Sequence, residues 1–139
     1  MKRGNITINE NDAGEWIVHA TLIDRTLWLT KHEMADLFGV YVNTIGNNLR
    51  TIFKSGLLYE DDVTRIHEYE YKGRHRTMVL YNLEALIFVS YRIASFQAKA
   101  FREWVMNALY EYNRTDKRTS AEVVVVYNLN SRMPDITLN

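Results

Sequence analysis

Two groups of side chains in this chain have types and spacings suited to nucleic-acid chemistry. Lys72, Arg74, His75 and Arg76 crowd four basic side chains into five residues. Arginine and lysine gathered in this way engage phosphate oxygens or a minor groove. The second group is Asn43, Thr44, Asn47, Arg50 and Lys54. Their spacing puts most of them on one side of a helix, and an asparagine so presented can bond the N6 and N7 atoms of adenine together. Lys54, with Lys31, adds flanking phosphate contacts. The plainer reading of both groups is a solvated hairpin turn and a solvated helix face.

Catalytic chemistry finds no comparable set. His32-Glu33-Met34-Ala35-Asp36 begins like a zinc-protease helix, but an aspartate stands where the second histidine ligand belongs. His19, His32, His67 and His75 have no ligand spacing. There is no Gly-Lys-Ser/Thr phosphate loop and no Gly-x-Ser-x-Gly elbow. The chain has no cysteine, which removes disulfides, zinc-cysteine sites and a cysteine nucleophile and suits a reducing cytoplasm. No enzyme, metal or cofactor is expected. Lys+Arg and Asp+Glu both number 17, so the formal net charge is zero. Dedicated nucleic-acid binders are usually basic; binding here must come from local patches.

The elements that position these groups follow from periodicity. Ile6 to Glu10 and Trp16 to Leu22 alternate around Asn11-Asp12-Ala13-Gly14, a hairpin pattern. "TLWLT" reads as a short third strand. Thr30 with Glu33 forms a capping box. Met34, Leu37 and Phe38 share a helical face, and Gly39 ends that helix. Ile45, Leu49, Ile52 and Phe53 then define a second helix from about Val42 to Lys54, stopped by Gly56. Its outward positions are Val42, Asn43, Gly46, Asn47 and Arg50. A mid-helix glycine costs about 0.5–1 kcal/mol relative to alanine and wants a reason, such as close approach of a DNA backbone or a partner.

A second hairpin follows, about Val63 to Tyr71 and His75 to Tyr81, with Lys72-Gly73 at its tip. Asn82 caps an apolar, buried helix. Ser95 caps a last helix whose apolar face is Ala98, Phe101, Val105, Ala108 and Tyr112, with Trp104 and Leu109 alongside. Arg92 and Arg102 are expected in buried ion pairs with acidic residues. The organisation is one domain over 1–115 and a tail over 116–139 with a strand at Val123–Tyr127. The fold class is α+β: a winged helix-turn-helix with an N-terminal antiparallel hairpin and two C-terminal helices. "MKRGNITINE" lacks the apolar core of a signal peptide, and no apolar run spans a bilayer. The expected location is the cytoplasm.

The stretches "LWLTKHEMADLFGVYVNTIGNNLRTIFKSGLL" and "YNLEALIFVSYRIASFQAKAFREWVMNALYEY" resemble the N-terminal domain of the RhuM virulence-protein family. The second is also similar to the DNA-binding domain of Bro-type phage antirepressors. With the hairpin between them they cover roughly residues 20–112. The resemblance implies a DNA-binding regulator of bacterial mobile-element or phage origin without catalytic activity. The chain departs from the family around Thr44-Ile45, where Tyr41, Val42, Asn43, Gly46, Asn47 and Asn48 replace the usual Ser, Arg or His.

The expected function is therefore sequence-dependent binding of double-stranded DNA, with the second helix in the major groove and the basic wing on the backbone. The opposing reading is an antirepressor-like module whose partner is another protein. A homodimer with the Val123–Tyr127 strand at or near its interface is a further expectation.

Overall fold

The computed structural model of the protein describes residues 2–115. The tail domain, its strand and that strand's part in a homodimer lie outside the described residues. Contacts group the chain into two units, Met1–Arg102 and Glu103–Asn139. The described part is mixed α+β, with two separate antiparallel hairpins and five helices.

The first hairpin pairs β1 (Asn5–Glu10) with β2 (Trp16–Thr21). The Asn11 side chain closes its turn, accepting from the backbone N–H of Ala13 and of Glu15. The third strand expected over "TLWLT" does not form. Ile23 and Thr26 instead close a tight turn by two backbone hydrogen bonds, with Asp24 and Arg25 both at positive φ. Beyond it, only Leu29 reaches a ladder partner, exchanging both backbone hydrogen bonds with Tyr81. The alternation was real, because Leu27 and Leu29 are buried and Trp28 lies between them half-exposed. The ladder ends there because Thr30 immediately starts a helix.

That helix is α1 (Lys31–Phe38), and its capping box is complete. The Thr30 hydroxyl accepts from Glu33 N–H, and the Glu33 carboxylate accepts from Thr30 N–H at 2.8 Å. The same carboxylate oxygen takes the Arg3 guanidinium, fastening the segment before β1 to the head of α1. Partial burial pushes the Glu33 pKa up, but the Thr30 N–H and the Arg3 hydrogen bond and charge outweigh it, leaving the group below its ordinary value. Gly39 ends α1 at φ 68°, where a Cβ would lie 2.7 Å from Gln97 Nε2. The left-handed backbone favours glycine there, while the Gln97 amide, at the end of a flexible side chain, could move aside.

Helix α2 (Val42–Ser55) follows after three residues and ends at Gly56. It buries Ile45, Leu49 and Ile52 and packs on α1 and on α4 (Leu83–Ser90). Burying each such side chain is worth roughly 1.5–3 kcal/mol. A one-turn helix absent from the sequence reading, α3 (Glu60–Val63), leads into the second hairpin. This is β3 (Thr64–Tyr71) with β4 (Arg74–Tyr81). Lys72 and Gly73 form its two-residue turn, both at positive φ, the geometry that matches strand twist.

Asn82 caps α4 through Ala85 N–H, and Ser95 caps α5 (Phe96–Thr115) through Ala98 N–H. Phe38 and Phe101 meet edge to face at 5.6 Å in the core. The apolar face expected along α5 is buried only at its start. Ala98 and Phe101 are enclosed, Trp104 and Val105 are half-buried, and Ala108, Leu109 and Tyr112 are exposed. Among the described residues no helix is long and apolar enough to cross a membrane.

Thr30→Ala should cost about 1 kcal/mol by removing the cap, read as a lower urea midpoint. Glu33 has a lowered folded-state pKa, so its stabilisation is complete above about pH 4.3, the ordinary unfolded value. It is lost as pH falls through the lowered folded value. Glu33→Gln should therefore flatten that acid limb in pH-dependent urea titrations.

Candidate nucleic-acid interface

Burial of one stripe of α2 decides what the other side presents. With Ile45, Leu49 and Ile52 inward, Asn43, Asn47, Arg50 and Lys54 are exposed. Thr44 is half-buried on the flank it shares with Asn48. Tyr41, 85% exposed, stands at the N-cap without making a side-chain cap. Four of the five α2 residues singled out by sequence thus share the open face, and Thr44 sits beside it.

The two consecutive asparagines are both engaged. Asn47 Oδ1 accepts a hydrogen bond from the Arg50 guanidinium. Asn48 donates to the Thr44 carbonyl at 2.9 Å and accepts from Arg92 Nε at 2.8 Å. Bidentate recognition of adenine needs the amide oxygen as well as the amide nitrogen. Asn47 must release Arg50 to do it, whereas Arg50 held by Asn47 is set to offer its own fork. Arginine to guanine O6 and N7 is the commonest specific base contact.

Gly46 occupies the opposite flank from Asn48. It is shielded from solvent, yet a Cβ built there meets only Arg50 Nη1, at 3.8 Å. No internal packing requires glycine at this position.

The second hairpin sorts its charges by strand alternation. Directly opposed residues of an antiparallel pair share a face, and neighbours along a strand alternate. The register pairs Arg65 with Leu80, His67 with Met78, Tyr69 with Arg76 and Tyr71 with Arg74. These make one face, with Leu80 buried at its base and Tyr71, Arg74 and Arg76 exposed toward its tip. Arg65 stacks over the Trp28 ring at 4.3 Å, His67 stacks on Tyr69, and Lys72 lies 5.3 Å from the Tyr71 ring centroid.

The other face carries Ile66 opposite Val79, Glu68 opposite Thr77 and Glu70 opposite His75. His75 contacts Glu68 at 2.7 Å and Glu70 at 3.8 Å. Grouping His75 with Arg74 and Arg76 was therefore incorrect, since consecutive strand residues point to opposite sides. The two glutamates, close in sequence to the arginines, are likewise on the far face.

Arg92 and Arg102 also differ from expectation, for neither pairs with an acidic residue among the described residues. Arg102 donates to the carbonyl of Ser90, the last residue of α4, where a cation complements the helix dipole, and to that of Ile93 beyond it. Arg92 reaches α2. No local pattern foretells that contact, because 44 positions separate Arg92 from Asn48.

Among the described residues no cluster of His, Asp or Glu gathers to hold a metal ion. An open cleft of about 460 Å³ beside β1, lined in part by Arg3, Thr7, Trp28, Glu33 and Asp36, includes none of the interface residues. Comparison of the chain with family models, curated proteins and solved structures finds no match.

Gly46→Ala should raise stability by about 0.5–1 kcal/mol, since the methyl has room and alanine is the better helix former. An increased urea midpoint would show it. A decreased midpoint would mean that packing does demand glycine.

Proposed function

We propose that the protein binds double-stranded DNA as a regulator without chemistry of its own, in the manner of a winged helix-turn-helix. Helices α1 and α2 form the helix-turn-helix, α2 enters the major groove, and the β3–β4 hairpin is the wing. The observation that carries this reading is the sorting of the wing. Its register unites Arg74 and Arg76 with Tyr69 and Tyr71 and sends Glu68 and Glu70 away, so a neutral chain still offers an undiluted cationic face. Arg and Lys there engage phosphates or the minor groove. On α2, Asn43, Asn47 and Arg50 supply the base-reading groups.

The rival is a protein-interaction module, favoured by one specific feature. Ile66 and Val79, directly opposed on the acidic face of the wing, are 66% and 42% exposed. A partner protein bound there would leave the cationic face incidental.

Selection from a random duplex pool, followed by salt titrations, tests the assignment. Replacing Arg74 and Arg76 with alanine should weaken binding to all duplexes alike and flatten the logarithmic salt dependence by about one per lost contact. Arg50→Ala should cost about 1–3 kcal/mol on the selected site only. If the wild-type chain binds no duplex even at low salt, the interaction-module reading replaces this one.

A further inference from the structure

We propose that Arg92 is an additional phosphate contact of the DNA interface, presented by Asn48 on the flank of α2. The inference rests on the DNA-binding reading above and adds to it a residue from outside the helix-turn-helix and the wing.

Arg92 lies just past the end of α4, its backbone N–H bonded to Val89 O at 2.9 Å. Its side chain is exposed, and its Nε donates to Asn48 Oδ1 at 2.8 Å. The Asn48 amide is itself fixed, because its nitrogen donates to the Thr44 carbonyl within α2. One end of the asparagine is tied to the helix backbone and the other holds the guanidinium. Among the described residues, no other hydrogen bond and no carboxylate engages Arg92. Its two Nη groups keep their donors, and the Nε anchor restricts where the planar fork can point. Arg102, in the same region, makes the contrast: its Nη1 is spent on two carbonyls and its guanidinium lies over the Tyr91 ring.

Dimensions say what this fork would meet. An α-helix with its side chains is about 10–12 Å across, and the major groove of B-DNA is about 12 Å wide. A helix seated there has a phosphate wall along each flank. Asn48 marks one flank of α2, so a guanidinium anchored to it faces a wall, and phosphate is the ligand a planar arginine fork suits. The arrangement also supplies positive charge to a helix that carries none of its own before Arg50.

The test compares salt titrations of the full chain and its variants on a short random-sequence duplex, with urea unfolding run in parallel. Arg92→Ala should bind several-fold more weakly, equally on selected and random duplexes, with a logarithmic salt slope flatter by about one. Arg92→Lys should keep the wild-type slope while losing part of the affinity, because it keeps the charge without the Nε anchor. A purely structural tie predicts instead that both variants lose stability and neither changes the slope. A wild-type slope in Arg92→Ala overturns the inference. If the Arg74 and Arg76 variant still flattens the slope, DNA binding by the wing survives that failure. If the wild-type chain binds no duplex, both readings fall together.

Discussion

The proposed interface depends on the burial of a single stripe of α2. Ile45, Leu49 and Ile52 are almost wholly enclosed, as are Met34, Ala35 and Phe38 on α1. A helix with one stripe committed to a core has no freedom of rotation. That commitment turns Asn43, Asn47, Arg50 and Lys54 outward together. It also brings Asn48 to the flank where Arg92 can reach it. The Gly39 turn, the Thr30 cap and the Arg3–Glu33 tie all act upstream, fixing the position of α1 against which α2 packs.

Zero net charge and a nearly neutral second helix argued against nucleic-acid binding in the sequence. Folding separates charges that composition averages. Strand alternation divides the second hairpin into a cationic, aromatic face and an acidic one, so Glu68 and Glu70 dilute nothing on the arginine side. A tertiary hydrogen bond brings a cation to α2 from beyond α4. Net charge bounds non-specific association over long distances, but contact with a groove is decided over a few residues.

The elements with strong local signals were legible from sequence. The capping box at Thr30, the glycine stops at Gly39 and Gly56, the asparagine cap at Asn82 and the Lys72-Gly73 turn each have a mechanism confined to a few neighbouring residues. The three-residue strand alternation over Leu27–Leu29 was also legible, but its ladder partner depended on where Tyr81 arrives. The short α3 has no apolar period long enough to announce it. The exposed end of the α5 face was not legible, because periodicity states which residues share a side, not whether anything covers them. At the candidate site, exposure of Asn43 and Asn47 followed from helical spacing. The amide–guanidinium pairs, the far-side placement of His75 and the Arg92–Asn48 contact did not, since each requires register or contacts across the fold.

The central claim is that the outer face of α2 and the cationic face of the wing meet the same duplex. Backbone amide chemical shifts of the nitrogen-labelled full chain, followed during titration with duplex DNA at low salt, test it most directly. The account predicts shifts concentrated in Asn43 to Arg50, in Tyr71 to Arg76 and at Arg92, reversed by added salt, with the Asn11–Gly14 turn of the first hairpin silent. Shifts that leave α2 untouched, or no shifts under those conditions, would contradict it.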